Sequence, residues 1–303
     1  MKNSSVTVFS FLALLLLLSS CNTGVKQHND TFITGKAQFV ADESFSPVLD
    51  QELYIFKADD PKAQPVISYV PENTAVNLLL ADSARIILIS RDLTKAEYNA
   101  LAAKNLRPII TRFAIDAVAL IVNKASADTT VTVSDIKKML NGDTKQDKNI
   151  VFDNPNSGLV RYLKEFSGNK DLKQKNVFAL KSNKEVIKYV AEHPNAIGIV
   201  GFGWLNDPDK DYAAAVDNVK IAGVKDDLSS DTARTYFAPS QTTLALKQYP
   251  LTRNLYFINC TGQYGLGMKF AVFLEGDRGQ RIILKSGLLP NNIPGRKINI
   301  VQR

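Results

Sequence analysis

Pro108 to Lys124 is an unbroken β-rich run, Ile-Ile-Thr-Arg-Phe-Ala-Ile-Asp-Ala-Val-Ala-Leu-Ile-Val at its centre, with no internal turn signal. Strands in globular proteins usually span about 3–10 residues. A strand of seventeen residues is therefore expected to leave one body of the molecule and continue into another. A second long extended stretch, Tyr236 to Ile258, offers a return crossing. Two crossings joining two compact bodies constrain the fold more than any other feature of the chain.

Strand and helix signals alternate around these crossings. Gly35–Ala41, Val66–Val70 and Arg85–Ile89 read as strands, the last apolar throughout, as in a sheet covered on both faces. Ser46–Phe56 reads as a helix, Pro71-Glu72-Asn73-Thr74 as the cap of a second, and Thr94 with Glu97 as a capping box opening a third. Ser134 reads as the cap of a short helix closed by Gly142, and Ser182 with Glu185 as another capping box. Ala196–Phe202 reads as a buried strand, and two helices follow Ile258, around Leu266–Leu274 and Ile282–Leu284. The pattern predicts an α/β protein of two lobes. Residues 34–112 with 248–303 form lobe 1 and residues 113–247 form lobe 2.

Before residue 34 the chain has a different character. Lys2 precedes an apolar run, Val6–Leu18, too short to span a bilayer, where about 20 residues are needed. Leu18-Ser19-Ser20-Cys21 follows. Residues 1–20 are read as a signal peptide, residues 21–33 as a polar tether, and the mature chain as exported. The formal net charge is +7, and loss of Lys2 with the leader makes it +6. The basic residues are scattered, without a stripe interleaved with aromatics, so nucleic-acid binding is not expected.

The most informative local motif is Ile150–Leu163, a short apolar strand running through Pro155-Asn156-Ser157-Gly158 into an amphipathic helix. Asn156 or Ser157 serves as N-cap, and Gly158 admits a group close to the backbone. The first helical turn offers unpaired N–H groups to an anion, although most helix starts of this kind bind nothing. Asp153 has two readings: it bonds its own turn, or it faces the same space. His28 and His193 have no cysteine or histidine partners at metal-ligand spacing, and no Gly-x-Ser-x-Gly precedes His193. Neither a metal, a cofactor nor a catalytic constellation is expected. Cys260 reads as a small buried hydrophobe.

Several segments occur in an order that resembles a known family: Ser90-Arg91-Asp92-Leu93, Ala119–Asn123, Ser134–Gly142, Asn156-Ser157-Gly158 and Ala196–Gly201. They continue into Tyr249-Pro250-Leu251-Thr252-Arg253 and Gly287-Leu288-Leu289-Pro290. Together they resemble the phosphate-binding subunit of bacterial ABC importers, a type II periplasmic binding protein, over residues 34–303. The Ser-Ser-Cys ending of the leader resembles a lipobox, which implies lipidation of Cys21 and membrane tethering.

The resemblance implies a monomeric solute-binding protein without covalent chemistry, its partners an oxyanion such as phosphate and a membrane permease. Matching ligand positions are Ser44, Asn73, Thr74, Ser90 and Arg91 in lobe 1 and Asp153, Asn156, Ser157 and Gly158 in lobe 2. The match is imperfect: Asp153 stands where the family has an arginine, and Leu159 where it has a threonine. Asp42, Glu43, Glu72 and Asp153 would repel a desolvated phosphate if they point inward. Arg91 is the first choice for a bidentate clamp, and Arg161 the second, since three residues beyond Gly158 it can equally face solvent. The same fold with a degraded pocket, serving as a sensor or scaffold or binding a non-phosphate solute, is the competing expectation.

Overall fold

The computed structural model describes residues 34–143, 148–229 and 235–294. The segment read as a signal peptide, Cys21 and His28 lie outside them. Strands β1 (Gly35–Asp42), β2 (Ala63–Val70), β3 (Ile86–Ile89) and β4 (Ile109–Asn123) come first, and β5 (Thr130–Thr132) follows. Then come β6 (Asn149–Phe152), β7 (Val177–Ala179), β8 (Ala196–Gly201), β9 (Val219–Ile221) and β10 (Gly223–Lys225). The last two are β11 (Thr252–Asn259) and β12 (Leu289–Pro290). The helices between them are α1 (Ser46–Asp59), α2 (Glu72–Leu80), α3 (Lys95–Ala103), α4 (Val133–Leu140) and α5 (Gly158–Ser167). The remainder are α6 (Asn183–Glu192), α7 (Ala213–Val216), α8 (Gln241–Ala245), α9 (Leu266–Glu275) and α10 (Asp277–Lys285).

β4 does what its length demands. Its first part pairs antiparallel with β11 from Ile109 to Ala117, and from Val118 to Val122 it pairs with β8 instead. The strand order β2-β1-β3-β11-β4-β8-β6-β7 thus divides at β4 into two half-sheets. In each half the neighbouring strands not on the crossing are parallel: β1 with β2 and β3, β6 with β7 and β8. Each half has its own apolar core. Phe39, Phe56, Phe257 and Phe270 pack together in the first, with Phe39 and Phe270 stacked at 5.0 Å. Leu120, Val151, Leu163 and Val186 are among those filling the second. The fold is the expected α/β arrangement of two lobes with hinge strands. Among the described residues no helix is long and apolar enough to cross a membrane.

Three local expectations are corrected. The N-cap of α4 is Thr132, whose hydroxyl accepts from Asp135 N, because the Ser134 hydroxyl is drawn to Asp227 instead. Ser182 caps α6, but Glu185 accepts from Lys181 N at 3.0 Å and closes no capping box. The stretch Tyr236–Ile258 is not extended throughout: Ser240 and Thr243 form a capping box that starts α8, and the strand begins only at Thr252. The Thr94–Glu97 box is present as read. Cys260 is buried, as expected, and burial pushes its thiol up to about 11.

Candidate functional site: a cradle between the lobes

In both half-sheets the parallel strands end toward one cleft, the usual position for a ligand in open α/β sheets. Asp42 ends β1, Glu72 opens the helix after β2, and Ser90 follows β3. From the other side come Asp153 after β6, the start of α5, Asn183 at the start of α6, and Gly201 at the end of β8. The sequence therefore delivers seven short-range signals to one place through topology alone.

The α5 start is built as read. Ser157 is the N-cap: its Oγ accepts from Val160 N at 3.2 Å and donates to Asp153 Oδ1 at 2.6 Å. Leu159, Val160 and Leu163 are buried and fix the helix rotation. That rotation carries Arg161 into the cleft. Gly158 N, an orphan donor of the first turn, donates to Asp42 Oδ2 of the opposite lobe at 2.6 Å. A Cβ on Gly158 would stand 2.5 Å from both Glu72 Oε2 and Ser90 Oγ and 2.7 Å from Asp42 Oδ2. No side chain fits there, so glycine is required by close approach.

Glu72 is fully buried. Its Oε2 accepts from Ser90 N at 2.8 Å and Ser90 Oγ at 2.6 Å, and its Oε1 from Arg161 Nε at 2.5 Å. Burial raises its carboxyl, but the charge and hydrogen bonds of Arg161 and the bonds from Ser90 outweigh it, and the net shift is downward. Arg161 Nη2 also reaches Ser90 Oγ at 2.8 Å. Arg91 turns the other way. It makes a bidentate pair with Glu97, at 2.7 Å from both nitrogens, and stays 3.7 Å from Glu72. The capping-box glutamate takes the arginine that sequence spacing put first.

Asp153 is buried beneath the α5 start, and it accepts from Asn183 Nδ2 at 3.1 Å while Asn183 Oδ1 accepts from Gly201 N. Burial, with the Asp42 charge adding to it, pushes the Asp153 carboxyl up to about 8. At neutral pH it holds its proton, so it adds no charge against an anion. Burial followed by the Asp42 charge likewise lifts Glu43 to about 7. Asp42 itself is raised by burial and then by Glu72, opposed by Arg253.

The hinge meets the cradle at Arg253, which sequence reading left in a motif without a role. It pairs with Asp116 across β11 and β4 at 2.8 Å and bonds Ser44 Oγ at 3.2 Å, its guanidinium 4.9 Å above the Phe45 ring. Ser44 O accepts from Trp204 Nε1 at 3.0 Å, which ties the short 3-10 turn Phe202–Leu205 of the second lobe to the first. Ser44 is thus packed beneath the cradle. Asn73, Thr74 and Asn156 lie exposed at its rim, where Asn73 N donates to Asn156 O at 3.3 Å. A groove of about 730 Å³ lies beside the cradle, lined by Ser46, Asp50, Tyr54, Lys184, Trp204 and Tyr212, and no cradle residue faces it. Among the described residues no cluster suits a metal ion.

Known proteins share this architecture. A substrate-binding protein from Clostridium perfringens, solved with bound phosphate, superposes with a TM-score of 0.71 at 20% identity, covering 85% of this chain and 100% of that one. An ABC-type phosphate transport receptor from Vibrio cholerae gives 0.63 at 17% identity, over 84% and 100% of the two chains. In sequence, the phosphate-binding protein PstS of Borreliella burgdorferi (strain ATCC 35210 / DSM 4680 / CIP 102532 / B31) is 24% identical over 302 residues, 94% of this chain and 98% of that protein. The model of the PBP superfamily domain matches residues 26–278, most of the length, and the chain belongs to the PBP superfamily.

Proposed function

We propose that the chain is an extracytoplasmic solute-binding protein that captures an oxyanion, phosphate or a chemical relative, and delivers it to an ABC importer. The observation carrying this reading is the donor set converging in the cleft. Gly158 N, Ser90 N, Ser90 Oγ and the Arg161 guanidinium all point at carboxylate oxygens, the geometry an oxyanion requires. The phosphate-linked relatives described above support the ligand class. In this reading Ser157 and Asp153 brace the helix start, Ser44 supports the floor, and Asn73, Thr74 and Asn156 form the rim. Arg91 orients the loop after β3 through Glu97. Residues 34–112 with 248–303 and residues 113–247 move as two bodies about β4 and β11. Cys21 carries lipid that tethers the exported, monomeric protein near its permease, and no covalent step is involved.

One observation favours the second reading, a sensor or scaffold that takes no oxyanion: Asp42 and Glu72 already occupy the donors. Calorimetric titration separates the two. Phosphate is expected to bind saturably to the wild-type chain, and Arg161→Met to abolish the heat. Absence of heat with phosphate and with sulfate, in the wild type and in Glu72→Ala alike, would overturn the oxyanion reading.

A further inference from the structure

Three side-chain contacts at the centre of the two jaws share one polarity, whereas at the rim Asn73 N of lobe 1 donates to Asn156 O of lobe 2. Lobe 1 supplies the acceptors Asp42 Oδ2, Glu72 Oε1 and Ser90 Oγ, and lobe 2 supplies the donors Gly158 N and Arg161. The distances are 2.6, 2.5 and 2.8 Å, so each bond is direct and nothing fits between its partners. Both carboxylates are fully buried, and neither reaches solvent for a competing partner. The carboxylate oxygens sit where oxygens of a captured anion would sit. Ser90 is engaged by Glu72 from its own lobe through both N and Oγ, which holds that carboxylate in line with Arg161.

We propose that Asp42 and Glu72 are a built-in competitor for the cradle: they latch the lobes shut by taking the oxyanion's donors, and so set its affinity. The proposal rests on the oxyanion reading for its second half only. A latch of this kind reverses the usual order of events, in which solute draws two lobes together. Here the latched, empty closure and the solute compete for the same donors. An incoming oxyanion must first displace Asp42 from Gly158 and Glu72 from Arg161, and cannot share the space with the two carboxyl groups. The apparent affinity is the intrinsic one reduced by the fraction of molecules with the latch open. Arg161 Nη1 is at the same time bonded to Glu165 of its own helix at 2.8 Å, a partner it keeps when the latch parts.

Small-angle scattering and phosphate titration of the purified chain test the two halves separately. Glu72→Ala removes the main acceptor, and Glu72→Gln removes its charge while keeping its size, should the smaller side chain fold poorly; melting curves check both. With no anion beyond buffer chloride, both variants are expected to scatter as more expanded particles than the wild type. Their affinity for inorganic phosphate is expected to rise about tenfold or more. Expansion without binding of phosphate or sulfate to any of the proteins leaves the latch standing and removes the oxyanion reading. Unchanged scattering in both folded variants, or a loss of phosphate affinity on removing Glu72 from a wild type that binds, would overturn the latch.

Discussion

Arg161→Met is expected to destabilise the chain by about 3 kcal/mol, because it takes from a buried carboxylate its hydrogen-bonded guanidinium and leaves only Arg91 Nε at 3.7 Å. Glu72 is fully buried, and Arg161 Nε is its charged partner at 2.5 Å. The bonds from Ser90 N and Oγ remain in the variant, which places the cost at the low end of the range for breaking a buried pair. The change also removes the lobe-2 half of the latch and the guanidinium of the cradle. Arg91→Met is the comparison. Its side chain, 18% exposed, pairs with a Glu97 side chain that is 14% exposed, at the mouth of the cleft. Its loss is expected to cost less, about 1–2 kcal/mol, because Glu97, unlike Glu72, keeps some solvent contact and its bond from Thr94 N. Denaturant midpoints of both variants check the account. A larger loss for Arg91→Met than for Arg161→Met would contradict the assignment of Arg161 to the cradle.

Glu52→Gln is expected to stabilise the chain strongly at neutral and alkaline pH. Glu52 lies on α1 with no exposed surface, and neither carboxyl oxygen has a hydrogen-bond partner. Burial pushes its carboxyl up to about 9. The unfolded chain releases this proton near its ordinary value of 4.5, whereas the folded chain keeps it. Between those values the folded state binds more protons, so stability falls as pH rises, by about 1.4 kcal/mol per unit. From pH 4.5 to 7.5 the loss assigned to this one group is about 4 kcal/mol. Glutamine cannot ionise and removes it. Chemical denaturation at both pH values should show a gain of about that size at 7.5 and close to none at 4.5. Asp153, pushed up to about 8, acts in the same direction in both proteins and cancels from the difference. An equal gain at the two pH values would mean that Glu52 is ionised in the folded chain.

Much of the fold is legible because its signals are local or exceed what one element can hold. The length of β4 requires a crossing, and the Thr94–Glu97 box and the Ser157 cap are satisfied within four residues. The α8 turn inside Tyr236–Ile258 is missed because aromatic and β-branched content masks the Ser240–Thr243 box. The cap of α4 shifts to Thr132 because Asp227, ninety-three residues away, takes Ser134.

The cradle is only half legible, for a physical reason. Ser157-Gly158 announces itself through backbone requirements, but which arginine enters the cleft depends on helix rotation and on competition for partners. The burial of Leu159, Val160 and Leu163 turns Arg161 inward, and the same Glu97 that closes the α3 capping box removes Arg91. Asp42, Glu43, Glu72 and Asp153 read in sequence as repulsive charges. Their environments divide them: Asp153 keeps a proton, Glu72 is neutralised by Arg161, and Asp42 bonds the start of α5. Arg253 gave no sequence signal beyond its motif, because its role is a cross-strand pair with Asp116 at the crossing.

The central claim is that the donors held by Asp42 and Glu72 at the lobe interface are those an oxyanion takes. Amide resonances of the isotopically labelled chain, followed by NMR during titration with phosphate, test it residue by residue. The amides of Gly158 and Ser90 are expected to shift together with a single saturable dependence on phosphate, and to stay in place in Arg161→Met. Shifts confined to residues outside the cleft, or Gly158 and Ser90 amides that remain still at saturating phosphate, would contradict it.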